Sequence, residues 1–64
     1  MNDKVIEIEI ALNFLNTLFA KAIYLNDFKV VNEINMLRHS VYYGDSFNYE
    51  ATLKKLQMIE KELK

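Results

Sequence analysis

The sequence predicts an all-α protein, and three observations lead to this fold class. The 64-residue chain contains no proline and a single glycine, so few of its residues would interrupt a helix. Apolar residues recur every three or four positions in three separate segments, which is the spacing of one face of a helix. Residues that begin or end helices lie between these segments. We therefore expect one small domain over residues 1–64, with helices at about 3–25, 27–43 and 47–63.

The first helix is predicted over residues 3–25. Asn2 or Asp3 can cap the free amides of its first turn, and the pair Asn26-Asp27 interrupts the apolar pattern at its end. Isoleucine and glutamate alternate over residues 6–10, which is also typical of a half-buried strand. The helix is the favoured interpretation because the alternation then stops, whereas the helical spacing continues without a turn.

This first helix carries apolar residues on two sides. One stripe is expected to face the core, and a second ridge lies beside it. The other two helices have narrower apolar faces, so we predict that the ridge and the end of the helix bind another protein chain. The alternative is that both helices pack around the first and bury the ridge. The core stripe comprises Val5, Ile8, Leu12, Leu15, Phe19 and Ala22, and the predicted partner-binding residues are Ile6, Ile10, Phe14, Tyr24 and Leu25.

The second and third helices are each predicted to have one apolar face. Gly44 directly follows the second helix, where glycine readily takes the left-handed conformation that ends a helix. Asp45, Ser46 and Asn48 are all competent to cap the third helix. Connections of a few residues make successive helices antiparallel, so we expect an antiparallel hairpin or three-helix arrangement. The inward-facing residues are Val30, Ile34, Leu37 and Val41 in the second helix, with Val31 on the flank of that face, and Tyr49, Leu53, Leu56, either Ile59 or Glu60, and Leu63 in the third.

The size of the chain indicates that it associates with other chains. A domain of this length buries only about 60% of the surface that its unfolded chain exposes. The chain has no cysteine for disulfides or thiolate metal sites, and 52% of its residues are hydrophobic. We therefore expect that oligomerisation completes the fold, either as a homo-oligomer or as a heteromer with another helical protein.

The residues do not form a pattern typical of an enzyme. His39 and Ser40 are adjacent, so on a helix they point about 100° apart and His39 cannot act as a base for Ser40. With one histidine, no cysteine and no glycine-rich phosphate loop, we expect no catalytic residues, metal or cofactor. We also expect a cytoplasmic protein without a membrane span, because no long apolar run is present.

A net charge of −1, with acidic and basic residues interleaved, makes nucleic acid an unexpected partner. One alternative remains open, in which the second and third helices form a helix-turn-helix unit that binds nucleic acid. The third helix would then bring Glu50, Glu60 and Glu62 close to phosphates, which disfavours this alternative.

The segment from Gly44 to Glu50, with sequence GDSFNYE, resembles the corresponding turn of the YscE-like co-chaperones of type III secretion. Those proteins are similar in length, are almost entirely helical, and have a Gly-Asp turn that leads into a helix bearing a tyrosine. The resemblance covers about seven residues and does not extend to Leu37 or to Tyr42 and Tyr43 upstream. It implies a protein that binds a second helical chaperone and helps to keep a needle subunit unpolymerised.

Overall fold

The residues that the structure describes form three α-helices, as the sequence predicts. The structure, a computed structural model, describes residues 3–43 and 47–63. The first helix, α1, covers Asp3–Tyr24, α2 covers Phe28–Tyr43, and α3 covers Tyr49–Glu62. No strand occurs in these described ranges, so the strand interpretation of residues 6–10 is wrong. The helical spacing that continues after residue 10 determines the conformation of this segment.

The turn between α1 and α2 is closed by a left-handed residue. Asn26 has a φ angle of +58°, and its amide donates to the carbonyl of Ile23 at 3.1 Å. The amide of Asp27 donates to the carbonyl of Ala22 at 2.9 Å. This pair of bonds is the Schellman motif, in which asparagine can replace the usual glycine. The helix therefore ends at Tyr24, one residue before its predicted end.

Side-chain caps begin the other two helices. The Asp27 carboxylate accepts a hydrogen bond from the Val30 amide at 3.3 Å, so Asp27 caps α2 instead of forming its first turn. The Asn48 side chain accepts from the Ala51 amide at 2.9 Å and caps α3. Asn48 is therefore confirmed as a cap at the amino-terminal end of α3. The predicted roles of Gly44, Asp45 and Ser46 lie outside the described residues.

The core lies where α1 packs against both other helices. Most of its members are leucine, isoleucine and valine, and Leu15, Ile34 and Leu56 are fully buried. Burial of this apolar surface is the main source of stability in a domain whose sequence has no cysteine to form disulfides. The core cluster comprises Leu15, Leu18, Ala22, Val30, Val31, Ile34, Leu56, Ile59 and Leu63.

The buried face of α1 differs from the predicted core stripe. Leu15 and Ala22 are buried as expected, but the other two buried positions are Ala11 and Leu18. The prediction for Val5 is wrong, because this side chain is exposed. Two helices contact α1 at once, so its buried face is the part that lies between them, and this face includes the small residues Ala11 and Ala22. The remaining predicted members, Ile8, Leu12 and Phe19, are half-buried at the edge of this face.

Arg38 of α2 links the first two helices at the surface. One guanidinium nitrogen donates to the Asn16 side chain at 2.9 Å and the other donates to Asn35 at 3.1 Å. The guanidinium carbon lies 4.7 Å from the centre of the Phe19 ring, which is within the range of a cation–π contact. Because Arg38 near the end of α2 reaches residues in the middle of α1, α2 runs back along α1.

An open groove separates α2 from α3. Each of these helices packs along α1, but they make far less contact with each other. The opening between them has a volume of about 370 Å³ and is lined by four residues from each helix. We call it the α2/α3 groove. Its lining residues are Glu33, Met36, Leu37, Ser40, Lys55, Met58, Ile59 and Glu62.

Candidate protein-binding site

The amino-terminal segment of α1, residues 3–10, presents apolar side chains that this chain does not cover. Val5 is 53% exposed, Ile6 is 39% exposed and Ile10 is 46% exposed. The first buried residue of the helix is Ala11, so the core begins only after this segment. Successive residues of a helix point about 100° apart, which places Val5 and Ile6 on different sides. The segment therefore carries exposed apolar side chains on more than one side of the helix, interleaved with the charged residues Asp3, Lys4, Glu7 and Glu9.

Phe14 connects this segment to the core. The side chain is half-buried and packs against the core cluster, although it belongs to the same predicted ridge as Ile6 and Ile10. The ridge is therefore divided between two environments: its first two residues face solvent, and its third contributes to the core. This contact fixes the orientation of the exposed isoleucines, because all three residues belong to one continuous helix.

The other two predicted partner-binding residues lie at the opposite end of α1. Tyr24 is 85% exposed and Leu25 is 40% exposed, beside the turn into α2. Fourteen residues separate Ile10 from Tyr24, which corresponds to about 21 Å along a helix. Exposed polar residues, among them Asn13 and Thr17, lie between them, and the Thr17 hydroxyl donates to the Asn13 carbonyl at 3.0 Å. The structure therefore does not bring the five predicted residues together.

Aromatic side chains are exposed near both turns. Phe28 lies close to Tyr24 in sequence, and Tyr42 and Tyr43 end α2. The rings of Tyr42 and Tyr43 are 6.2 Å apart, and the His39 ring is 4.8 Å from that of Tyr43. The rings of His39, Tyr42 and Tyr43 thus contact one another at the surface, and none of these aromatic residues belongs to the core cluster.

Among the described residues, His39 and Ser40 have different surroundings. His39 is exposed and contacts the Tyr43 ring, whereas Ser40 lines the α2/α3 groove. In residues 3–43 and 47–63, no three histidine, cysteine, aspartate or glutamate side chains are grouped so that they could hold a metal ion. Contact through apolar side chains is the chemistry that this surface offers.

Val5 belongs to the predicted core stripe, and neither Met36 nor Met58 is among the predicted partner-binding residues. Val5 follows the core spacing, and only the position at which burial begins, Ala11, shows that it lies beyond the core. Met36 falls among polar residues of α2, and its exposure in the groove depends on how far α3 lies from α2. An apolar residue among polar ones on a helix is the signal that could have identified it.

The described helices include none that combines the length and apolar character needed to cross a membrane. The fold and the exposed apolar segment together define a small three-helix protein with an uncovered helix end. No family model matches the chain, and no curated protein or solved structure matches it either.

Proposed function

We propose that this protein is a non-enzymatic interaction module that binds another helical protein through the amino-terminal segment of α1. The observation that supports this proposal most directly is the exposure of Val5, Ile6 and Ile10 within eight residues of one helix. A chain of this size has little interior, so an uncovered apolar cluster is better explained by a partner than by the stability of the monomer. The turn segment that resembles the YscE-like co-chaperones supports the same kind of partner.

The partner would hold the helix end in an apolar groove. Since Val5 and Ile6 point to different sides of α1, a concave surface can cover both, whereas a flat surface covers only one. Complete burial of a large aliphatic side chain contributes about 1.5–3 kcal/mol, so covering the exposed half of each contributes roughly 1 kcal/mol. The helix is already formed and is anchored by Phe14, which reduces the ordering cost on binding.

A double substitution, Ile6→Asp with Ile10→Asp, tests the proposal. The protein would carry an affinity tag at its carboxyl end and be expressed in the cells that make it. Proteins that copurify with it would be quantified by mass spectrometry. We expect a specific helical partner with the wild type and a loss of at least about tenfold in the variant, because charge would have to be buried in the groove.

Ile23→Asp is the matched control. Ile23 is the same residue type in the same helix and is 44% exposed, close to the value for Ile10. Ile23 lies 13 residues after Ile10 along α1 and follows Ala22, the last buried residue of the helix. The Ile23→Asp variant should therefore still bind the partner. Circular dichroism would verify that all variants are helical. Equal recovery of the partner with the wild type and with the Ile6/Ile10 variant would refute the proposal.

A further inference from the structure

The α2/α3 groove has the features of a second interaction surface, separate from the amino-terminal segment of α1. Met36 on one wall is 73% exposed and Met58 on the other is 65% exposed, while Ile59 forms part of the buried core beneath. Methionine side chains are flexible and polarisable, and they adapt readily to an incoming apolar surface. The groove therefore has an apolar centre that could receive the side chains of another helix.

The charges around this centre are segregated by position. Glu33 of α2 and Glu62 of α3 line the groove together with Lys55, which lies two turns before Glu62 on α3. Within the described residues, none of these three side chains makes a hydrogen bond or an ion pair. One end of the groove is thus acidic and the other carries a lysine, and both are available to a partner.

The spacing of these charges on α3 is self-complementary. Lys55 precedes Met58 by three residues and Glu62 follows it by four, so each lies about one helical turn from the methionine. If two copies of α3 pack antiparallel with their Met58 side chains in contact, Lys55 of each copy faces Glu62 of the other. A two-fold axis near Met58 therefore produces two identical ion pairs around an apolar centre.

From this geometry we propose that a second copy of this chain docks in the α2/α3 groove, about a two-fold axis that passes close to Met58. In each copy, α3 forms one wall of the groove. When α3 of the first copy enters the groove of the second, the two-fold symmetry therefore places α3 of the second copy in the groove of the first. The contact is therefore closed, and it ends at a dimer. A uniformly acidic or basic partner would match only one end of the groove, whereas a second copy matches both.

Charge reversal tests this pairing in the full chain. Lys55→Glu alone and Glu62→Lys alone would each place like charges opposite one another at two symmetric positions. We expect each to raise the dimer dissociation constant by roughly tenfold, as measured by sedimentation equilibrium from about 1 μM to 1 mM. A chain with both substitutions restores opposite charges and should dimerise like the wild type. An equimolar mixture of the two single variants should form a heterodimer.

Lys54→Glu and Glu60→Lys are the matched controls, since they make the same charge changes on exposed residues of α3 that do not line the groove. We expect both to dimerise like the wild type. Met58→Asp should give a monomer with unchanged helical content, as judged by circular dichroism.

Three results would overturn the proposed dimer. The first is a wild type that is monomeric over the whole concentration range. The second is a dimer that is insensitive to Lys55→Glu and Glu62→Lys. The third is a dimer lost in the Ile6/Ile10 variant but retained in the groove variants, which would place self-association on α1. Because the amino-terminal segment of α1 is not part of the groove, failure of the dimer leaves the proposed partner binding unaffected, and the converse holds as well.

Discussion

The left-handed conformation of Asn26 predicts that one type of substitution has opposite effects at two sites. The left-handed conformation raises the free energy of a residue with a β-carbon by about 1–2 kcal/mol. The increase is smaller for asparagine than for alanine, because the short polar side chain of asparagine can form local hydrogen bonds in this conformation. Because Asn26 has a φ angle of +58°, we expect Asn26→Ala to lower the free energy of unfolding of the protein by about 1 kcal/mol. Asn26→Gly should match or exceed the wild type, because glycine has no such penalty.

Asn32→Ala is the matched control, since Asn32 is an exposed residue within α2. Alanine has the higher helix propensity, so this substitution should stabilise the protein by about 0.5 kcal/mol. For a domain of this size, 1 kcal/mol changes the melting temperature by about 4–8 °C. Thermal unfolding followed by circular dichroism would measure both effects. If Asn26→Ala melted at or above the wild-type temperature, the assignment of Asn26 to the helix-ending position would be wrong.

Two further predictions concern the core and the third helix. Ile34→Ala removes a fully buried side chain and should lower the free energy of unfolding by about 2–5 kcal/mol. Ile10→Ala, at a half-exposed site, should lower it by about 1 kcal/mol. Urea unfolding measures both values, and equal losses of stability would contradict the prediction. Asn48→Ala removes the cap of α3 and should cost about 1 kcal/mol, with Asn48→Ser retaining most of the wild-type stability; an Asn48→Ala protein that melts like the wild type would show that the cap contributes nothing.

The fold class and the helix ends could be predicted because they depend on local chemistry. Periodic apolar residues define the three helices, and the predicted ends agree with the structure to within one or two residues. The sequence shows that the pair Asn26-Asp27 interrupts the apolar pattern between the first two helices, but it does not show which residue ends α1 and which begins α2. Asn26 ends α1 by its backbone conformation and Asp27 begins α2 by its side chain, a distinction that requires the backbone geometry.

The orientation of α1 could be predicted only approximately. Hydrophobic periodicity gives the average direction of apolar residues around a helix, and it therefore weights large residues such as Val5 and Leu12. The packing instead buries Ala11 completely, although alanine is small and contributes little hydrophobicity to the pattern. Periodicity places Ile6, Ile10 and Phe14 in one ridge, whereas in the structure Ile6 and Ile10 are exposed and Phe14 packs against the core cluster.

The α2/α3 groove could not be predicted from any single helix. Met36 and Met58 lie on different helices, and each looks like an isolated exposed residue when its own helix is considered. The groove exists because α1 holds α2 and α3 apart, and this separation is a property of the tertiary packing.

The contacts of Arg38 also affect which alternative packings the chain can adopt. Contacts between aliphatic side chains are non-directional, so by themselves they define the position of one helix along another less sharply than polar contacts do. The planar guanidinium group is more selective, because it must find the Asn16 oxygen and the face of the Phe19 ring at the same time. A slide of one turn along α1 would lose both contacts together. A single arginine at the surface can thereby favour the observed register of α2 along α1 over one that is shifted by a helical turn.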